Sequence, residues 1–405
     1  MGYATEFRSN WRPLLAAAVG LGGGVALQNY MTSLFAPALI AEFGWERSVF
    51  ALIGLVGLLF MIAGPIAGRM TDKFGVRRIA LIGIIAVPAT FFALSFINTI
   101  TEFFAITVVQ ILIGATTTAA VYSKVVAGRF TRARGLALSV AICGPALVAA
   151  IGTPFLERII ADHGWRVGYQ ALAAFSLLFG LLAYAMMSGR FSGHEAPVRT
   201  SRPASHDYKM ITRTRAFWVM MIGMLLCNLA QSLPSSQMSL LLIENGLSTA
   251  QAAGLLSLFA IGVIVGRFAC GLALDHFSAP IVASLGMGIP AIGLVIMASD
   301  LDTQFALAIA VLTMAVSQGA EGDLGAYLVA RYFGMEVFSS VASLVTAMMA
   351  AGSALGTFVL SATLARTDSY DTFLIMGAVA IFLGSIMFLL LGRAPPLPVA
   401  QPQTA

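Results

Sequence analysis

Charge is scarce in this chain. Asp, Glu, Lys and Arg make up 10% of its 405 residues, hydrophobic residues make up 59%, and the mean hydropathy is +0.90. That balance lies outside the range of water-soluble domains and excludes a soluble enzyme. Cysteine is nearly absent as well: Cys143, Cys227 and Cys270 fall inside long apolar stretches with no C-x-x-C pair, so neither a disulfide framework nor a thiolate metal site is expected. The four histidines, His163, His194, His206 and His276, map to polar breaks, which argues against a metal cluster and against an imidazole relay within a membrane. No H-E-x-x-H and no phosphate-binding glycine motif occurs, so neither a bound cofactor nor ATP chemistry is expected.

What the chain does have is apolar length. Twelve stretches between Pro13 and Leu391 are each long enough to cross a hydrocarbon core of about 30 Å, so the expected fold is all-α, a polytopic membrane protein. Of 23 Lys plus Arg, 17 collect on the side that holds both termini, 4 lie in loops on the other side and 2 lie within spans. This asymmetry places both termini in the cytoplasm, and it explains the net charge of +5 without nucleic acid as a partner. The first span is too long, and too glycine-rich at Gly20 to Gly24, for a cleaved signal peptide. The expected location is a bacterial inner (plasma) membrane, with lipid and a small solute as partners and a monomer as the working unit.

One extended polar stretch interrupts the pattern. Residues 189–215, rich in Pro, Ser and Arg, read as a cytoplasmic linker between an N-terminal six-helix bundle (1–188) and a C-terminal one (216–393), with 394–405 as a disordered tail. Its basic residues set topology, or touch anionic lipid headgroups.

A repeat supports the division. Gly68-Arg69-Met70-Thr71-Asp72 after the second span recurs as Gly271-Leu272-Ala273-Leu274-Asp275 after the eighth, 203 residues on. The first copy continues through Lys73, Gly75, Arg77 and Arg78, giving G-x-x-x-D-[RK]-x-G-x-[RK]-[RK]. Gly68 permits close helix approach and Asp72 can pair with a cation or a helix N-terminus, whereas Arg77 and Arg78 hold the turn inside; a mere basic turn is the plainer alternative. With this motif the chain resembles the major facilitator superfamily, which implies two pseudo-symmetric six-helix bundles and a motif that latches the outward-facing state. Other stretches resemble its monocarboxylate and oxalate/formate carriers: Phe43-Gly44-Trp45-Glu46-Arg47-Ser48, Gly164-Trp165-Arg166, Gly266-Arg267 leading to Asp275, and Tyr332-Phe333-Gly334.

Chemistry is expected at charges left inside the membrane, because each costs at least about 3 kcal/mol at mid-depth. Arg267 lies ten residues before Phe277, about 15 Å from the end of its span and close to the midplane. Its guanidinium suits a carboxylate, and the resemblance places the substrate-binding arginine here; an internal ion pair with Glu321 or Asp323 is the structural alternative. The acidic residue that such carriers often place one turn earlier is Val263. Glu321 and Asp323, at a similar depth in the tenth span, are candidate proton acceptors, or satisfied interhelical hydrogen bonds. They lie about 200° apart around the helix, so both cannot face one cavity.

The 203-residue offset pairs Lys124 with Tyr327 and makes Lys124 a candidate second cation, unless its stem snorkels to the interface. Further cavity candidates are Gln28, Asn29 and Tyr30 in the first span, Tyr122 in the fourth, and Asn228, Gln231 and Gln237 in the seventh, with polar contact between helices as the plainer alternative. The expected function is secondary transport of an organic monocarboxylate, coupled to protons, by alternating access. Export of drugs or metabolites by proton antiport is the competing reading, disfavoured because Gln110 stands where drug antiporters of the resembling superfamily carry arginine.

Overall fold

The computed structural model describes residues 3–127, 129–130, 133–187, 212–299, 301–334 and 338–392, with only the backbone for Tyr3, Ala4, Asp72, Ala127, Arg134 and residues 338–340. Most of the expected linker and all of the expected tail lie outside them. Every regular element among the described residues is helical. After a short helix, Tyr3–Ser9, come twelve spans. They are α1 (Trp11–Gly22 bent by 49° into Val25–Phe43), α2 (Arg47–Thr71), α3 (Val76–Leu94), α4 (Ile100–Val126), α5 (Gly135–His163) and α6 (Trp165–Met186). The second half comprises α7 (Arg215–Glu244), α8 (Thr249–His276), α9 (Ala279–Met297), α10 (Gln304–Phe333), α11 (Val341–Thr367) and α12 (Asp371–Leu389). Large apolar side chains such as Ile62, Phe155, Leu178 and Leu285 stand more than 60% exposed, as lipid-facing positions of a multi-pass membrane protein do.

Local sequence sets where the spans begin and bend. The α4 start is a capping box, in which Thr99 accepts from the Glu102 backbone and Glu102 accepts from the Thr99 backbone; Ser248 and Gln251 repeat it at α8. Gly75 turns α2 into α3 at φ +83°, a conformation that a residue with a Cβ resists. The α1 bend follows the Gly20–Gly24 run, where a Cβ on Gly24 would meet Thr117, and the Thr117 hydroxyl accepts the backbone N–H of Val25 at 3.0 Å. A backbone group freed by the bend is thereby satisfied inside the bundle. The matching span of the second half is also broken. In α7 the helix ends at Cys227, a 3-10 turn spans Leu229–Gln231, a π turn spans Leu233–Gln237, and the α-helix resumes at Met238. Neither break was anticipated from the run of apolar residues.

Two faces of the molecule differ. One holds the ends of α6 and the start of α7 and is called here the linker face; the opposite one is the far face. A single apolar cluster joins both bundles toward the far face, running through Phe35, Phe50 and Phe103 of the first and Leu233, Leu256 and Leu374 of the second. Toward the linker face it gives way to two separate clusters, one per bundle. The two bundles are therefore joined at the far face and parted at the linker face. Polar contacts across the bundles gather on the closed side: Arg47 pairs with Glu244 at 2.5 Å, Thr249 donates to Glu157 at 2.9 Å, and Ser257 donates to the Ala150 carbonyl. The Arg47 and Glu244 side chains are 34% and 39% exposed, so this pair contributes about 1 kcal/mol at most and the shared apolar cluster carries the closure. Tyr370, before α12, is fully buried and donates to Gln237 at 2.7 Å; burial pushes its phenol above the ordinary range.

Candidate functional site

A close helix crossing places the charged site. In α8, a Cβ added to Gly262 would meet Ala315 of α10, and one added to Gly266 would run into the Val316 carbonyl. From the other side, a Cβ on Gly319 would strike the Val263 carbonyl. Glycine lets the two backbones approach closely, as small residues do between membrane helices. Arg267 follows Gly266 directly, and Asp323 lies one turn beyond Gly319. Their side chains meet at 3.1 Å, Nη1 to Oδ1, with Arg267 14% and Asp323 35% exposed.

The pair faces the space between the bundles. Tyr30 of α1 and Cys143 of α5 both lie within electrostatic reach of Arg267, and Cys143 also within reach of Asp323. Cys143 precedes the Gly144-Pro145 turn where the short helix Arg134–Ile142 hands over to Gly144–His163. Charge in this low-dielectric region is neutralised by mutual pairing, and removing either partner exposes the full desolvation cost of the other.

A cavity of about 210 Å³ lies farther from the linker face, at the meeting of the bundles. Its polar lining comprises amides and hydroxyls, with Gln28 and Asn29 from α1, Gln231 and Ser235 from α7, Gln318 from α10 and Ser353 from α11. Gln28 and Gln231 are separated by the same 203 residues as the two G-x-x-x-D copies, so the cavity wall repeats the pseudo-symmetry of the fold. Gln318 lies five residues before Asp323, about 7.5 Å of helical rise, and neither Arg267 nor Asp323 lines this cavity.

The other expected residues separate into distinct surroundings. Glu321 is 7% exposed and lines a second, smaller cavity with Asn228 and Gln231, apart from the pair that Asp323 makes. The two carboxylates thus diverge as their angular separation requires. Tyr122 corrects the expectation of a cavity residue: it is fully buried and packs against Gly20, whose missing side chain makes room for the ring. Lys124 donates to the Gly68 carbonyl at 3.4 Å, a contact between α4 and α2 of the first bundle. Tyr327 is 38% exposed, one turn closer to the linker face than Asp323.

At the linker face a Cβ on Gly68 or Gly271 would meet nothing within 4 Å, so the close approach expected there is not made while the bundles stand apart. Arg77 lies over the Tyr184 ring at 4.4 Å, joining α3 to α6, and Lys73 lies over Phe74 at 5.2 Å. Among the described side chains, Arg78 and Asp275 enter no ion pair. Among the described residues no group of His, Cys, Asp or Glu has the spacing of a metal site.

Comparison with known proteins agrees with this architecture. The family model described as Major Facilitator Superfamily matches residues 19–357 and 229–405. "MFS transporter asaE" of Aspergillus flavus is 23% identical over 239 residues, 57% of this chain and 52% of that protein. "Monocarboxylate transporter 11" of Homo sapiens is 21% identical over 342 residues, 82% of this chain and 72% of that protein. The chain thus spans about half the length of the Aspergillus relative. A crystal structure of the peptide transporter POT in complex with alafosfalin superposes with a TM-score of 0.74 at 13% identity, covering 95% of this chain and 94% of that one. At that identity the likeness is one of fold.

Proposed function

The chain belongs to the major facilitator superfamily, a family of transporters rather than enzymes, and on that footing we propose that it carries an organic monocarboxylate together with a proton by alternating access. The observation that carries this reading is the Arg267–Asp323 pair at 3.1 Å, placed between the bundles and facing α1 and α5. In the empty carrier the two charges cancel. An incoming carboxylate competes for the guanidinium, whose planar fork binds carboxylates in two-pronged fashion. Asp323, displaced, takes a proton, and the loaded site is again neutral. A carboxylate bound without that proton leaves one net negative charge in the membrane interior, which is costly and prevents reorientation. Anion and proton therefore move together, and Asp323 in α10 does what an acid at the Val263 position would do in α8.

The amide-lined cavity receives the rest of the solute, with Asn29, Gln28, Gln231 and Gln318 as hydrogen-bonding partners. The distribution of Lys and Arg supports a cytoplasmic linker face, so the conformation described is inward-facing, in a plasma membrane, the inner membrane of a bacterium, whose proton gradient drives uptake. The chain works as a monomer in this reading. The name of the human relative is consistent with a carboxylate substrate.

The neutral lining of the larger cavity favours a second reading, export of an uncharged metabolite by proton antiport. One experiment separates them. Proteoliposomes holding the protein are given labelled short monocarboxylates or their uncharged amides under an acid-outside pH gradient. We expect carboxylates to accumulate and a protonophore to abolish the accumulation; protonophore-sensitive efflux of preloaded amides under the same gradient, without carboxylate accumulation, would favour the antiport reading.

A further inference from the structure

Glu321 has no part in that scheme. It lies inside the second bundle, 7% exposed, and its Oε1 has no hydrogen-bond partner. Asn228 lines the same small cavity, and among the described residues no Lys or Arg pairs with the carboxyl. An isolated ionised carboxylate in such a place costs several kcal/mol, so it must hold a proton or a cation. Beside it is a cavity of about 20 Å³, enough for one water or one small ion. Oxygen-bearing side chains converge there: Asn228, Gln231, Ser317 and Gln318 line the cavity with Glu321. The Gln318 Oε1 is also buried without a partner. Against the same space α7 leaves the α-helical path, from Asn228 through Gln237, which turns backbone carbonyls away from their usual acceptor role. Unwound turns at mid-membrane are where carriers coordinate cations.

We propose that this cavity binds one small monovalent cation, sodium, with Glu321 supplying the charge and Ser317, Gln231 and Gln318 supplying neutral oxygens. The count of charges selects a monovalent ion, since a divalent one would leave an excess positive charge in the bilayer. Calcium needs six to eight oxygens and magnesium keeps several waters, and a cavity of this size holds neither shell. A proton alone would neutralise Glu321 but would leave the converging oxygens facing an ion-sized space. Gln231 and Gln318 also line the larger cavity, so the ion would share a wall with the solute.

Thermal unfolding of the purified full-length protein tests this without any organic solute, and so independently of the carboxylate reading. At constant ionic strength, sodium chloride replaces choline chloride. We expect a saturable rise in Tm, about 3 °C at tenfold the dissociation constant. The rise persists in Arg267→Ala and is lost in Glu321→Gln, whose Tm in choline stays at or above that of the unmodified chain. Ser317→Ala moves the sodium midpoint several-fold higher, and it serves alone if Glu321→Gln does not fold. Identical curves in sodium and choline, with a Tm that follows pH only, overturn the proposal. A sodium effect that survives Glu321→Gln overturns it as well.

Discussion

Arg267→Ala lowers carboxylate uptake at least about a hundredfold while the protein still reaches the membrane. The substitution removes the only guanidinium that the described residues bring between the bundles near mid-depth, and it leaves Asp323 without its 3.1 Å partner. Truncating one member of a hydrogen-bonded, partly buried charge pair costs about 2–5 kcal/mol, and a hundredfold loss corresponds to about 2.7 kcal/mol. Asp323 escapes the stability part of that cost by taking a proton, since it is 35% exposed toward the open space. The transport part has no such escape, because the anion then has nothing to displace. Arg267→Lys keeps the charge but loses the two-pronged geometry, so it recovers only part of the rate. Initial uptake rates in proteoliposomes, normalised to reconstituted protein, check this; an Arg267→Ala protein with the unmodified rate would contradict it.

Gly319→Val prevents recovery of folded protein, whereas Gly322→Ala, one turn along the same helix, is tolerated. At Gly319 a Cβ would strike the Val263 carbonyl, and the obstacle is backbone that cannot swing aside. Small-to-large changes in a packed interior cost about 1–3 kcal/mol when side chains can yield, and more when they cannot. At Gly322 nothing lies within 4 Å of the added Cβ, and alanine improves helix propensity by up to about 1 kcal/mol. Size-exclusion profiles and Tm of the two variants read the difference. Equal behaviour would mean that the α8–α10 crossing is not as close as described.

Much of the architecture was legible because the membrane imposes it. Span number, the two-bundle division and the G-x-x-x-D repeat follow from apolar length and a 203-residue offset. The bends in α1 and α7 were hidden, since a Gly20–Gly24 run or Pro234 within an apolar span does not disclose whether neighbouring hydroxyls satisfy the freed backbone groups. Tyr122 shows a second limit: helical spacing says which residues face inward, but bundle core and cavity wall are both inward. The choice of Asp323 over Glu321 as the partner of Arg267 depends on how α10 is rotated against α8, which the glycine crossing decides and a single helix cannot. Gln28 was legible as a polar residue of the first span, and the offset that paired Gly68 with Gly271 also pairs it with Gln231.

Proton exchange at Asp323 is the step on which the account turns, and Asp323→Asn isolates it. In proteoliposomes the variant is compared in two modes: accumulation of a labelled monocarboxylate driven by a pH gradient, and exchange of labelled for unlabelled monocarboxylate at equal pH. The amide mimics the protonated carboxyl, so the loaded carrier still reorients; the account predicts that exchange persists while gradient-driven accumulation falls to background. Accumulation that continues to follow the pH gradient in Asp323→Asn would contradict it.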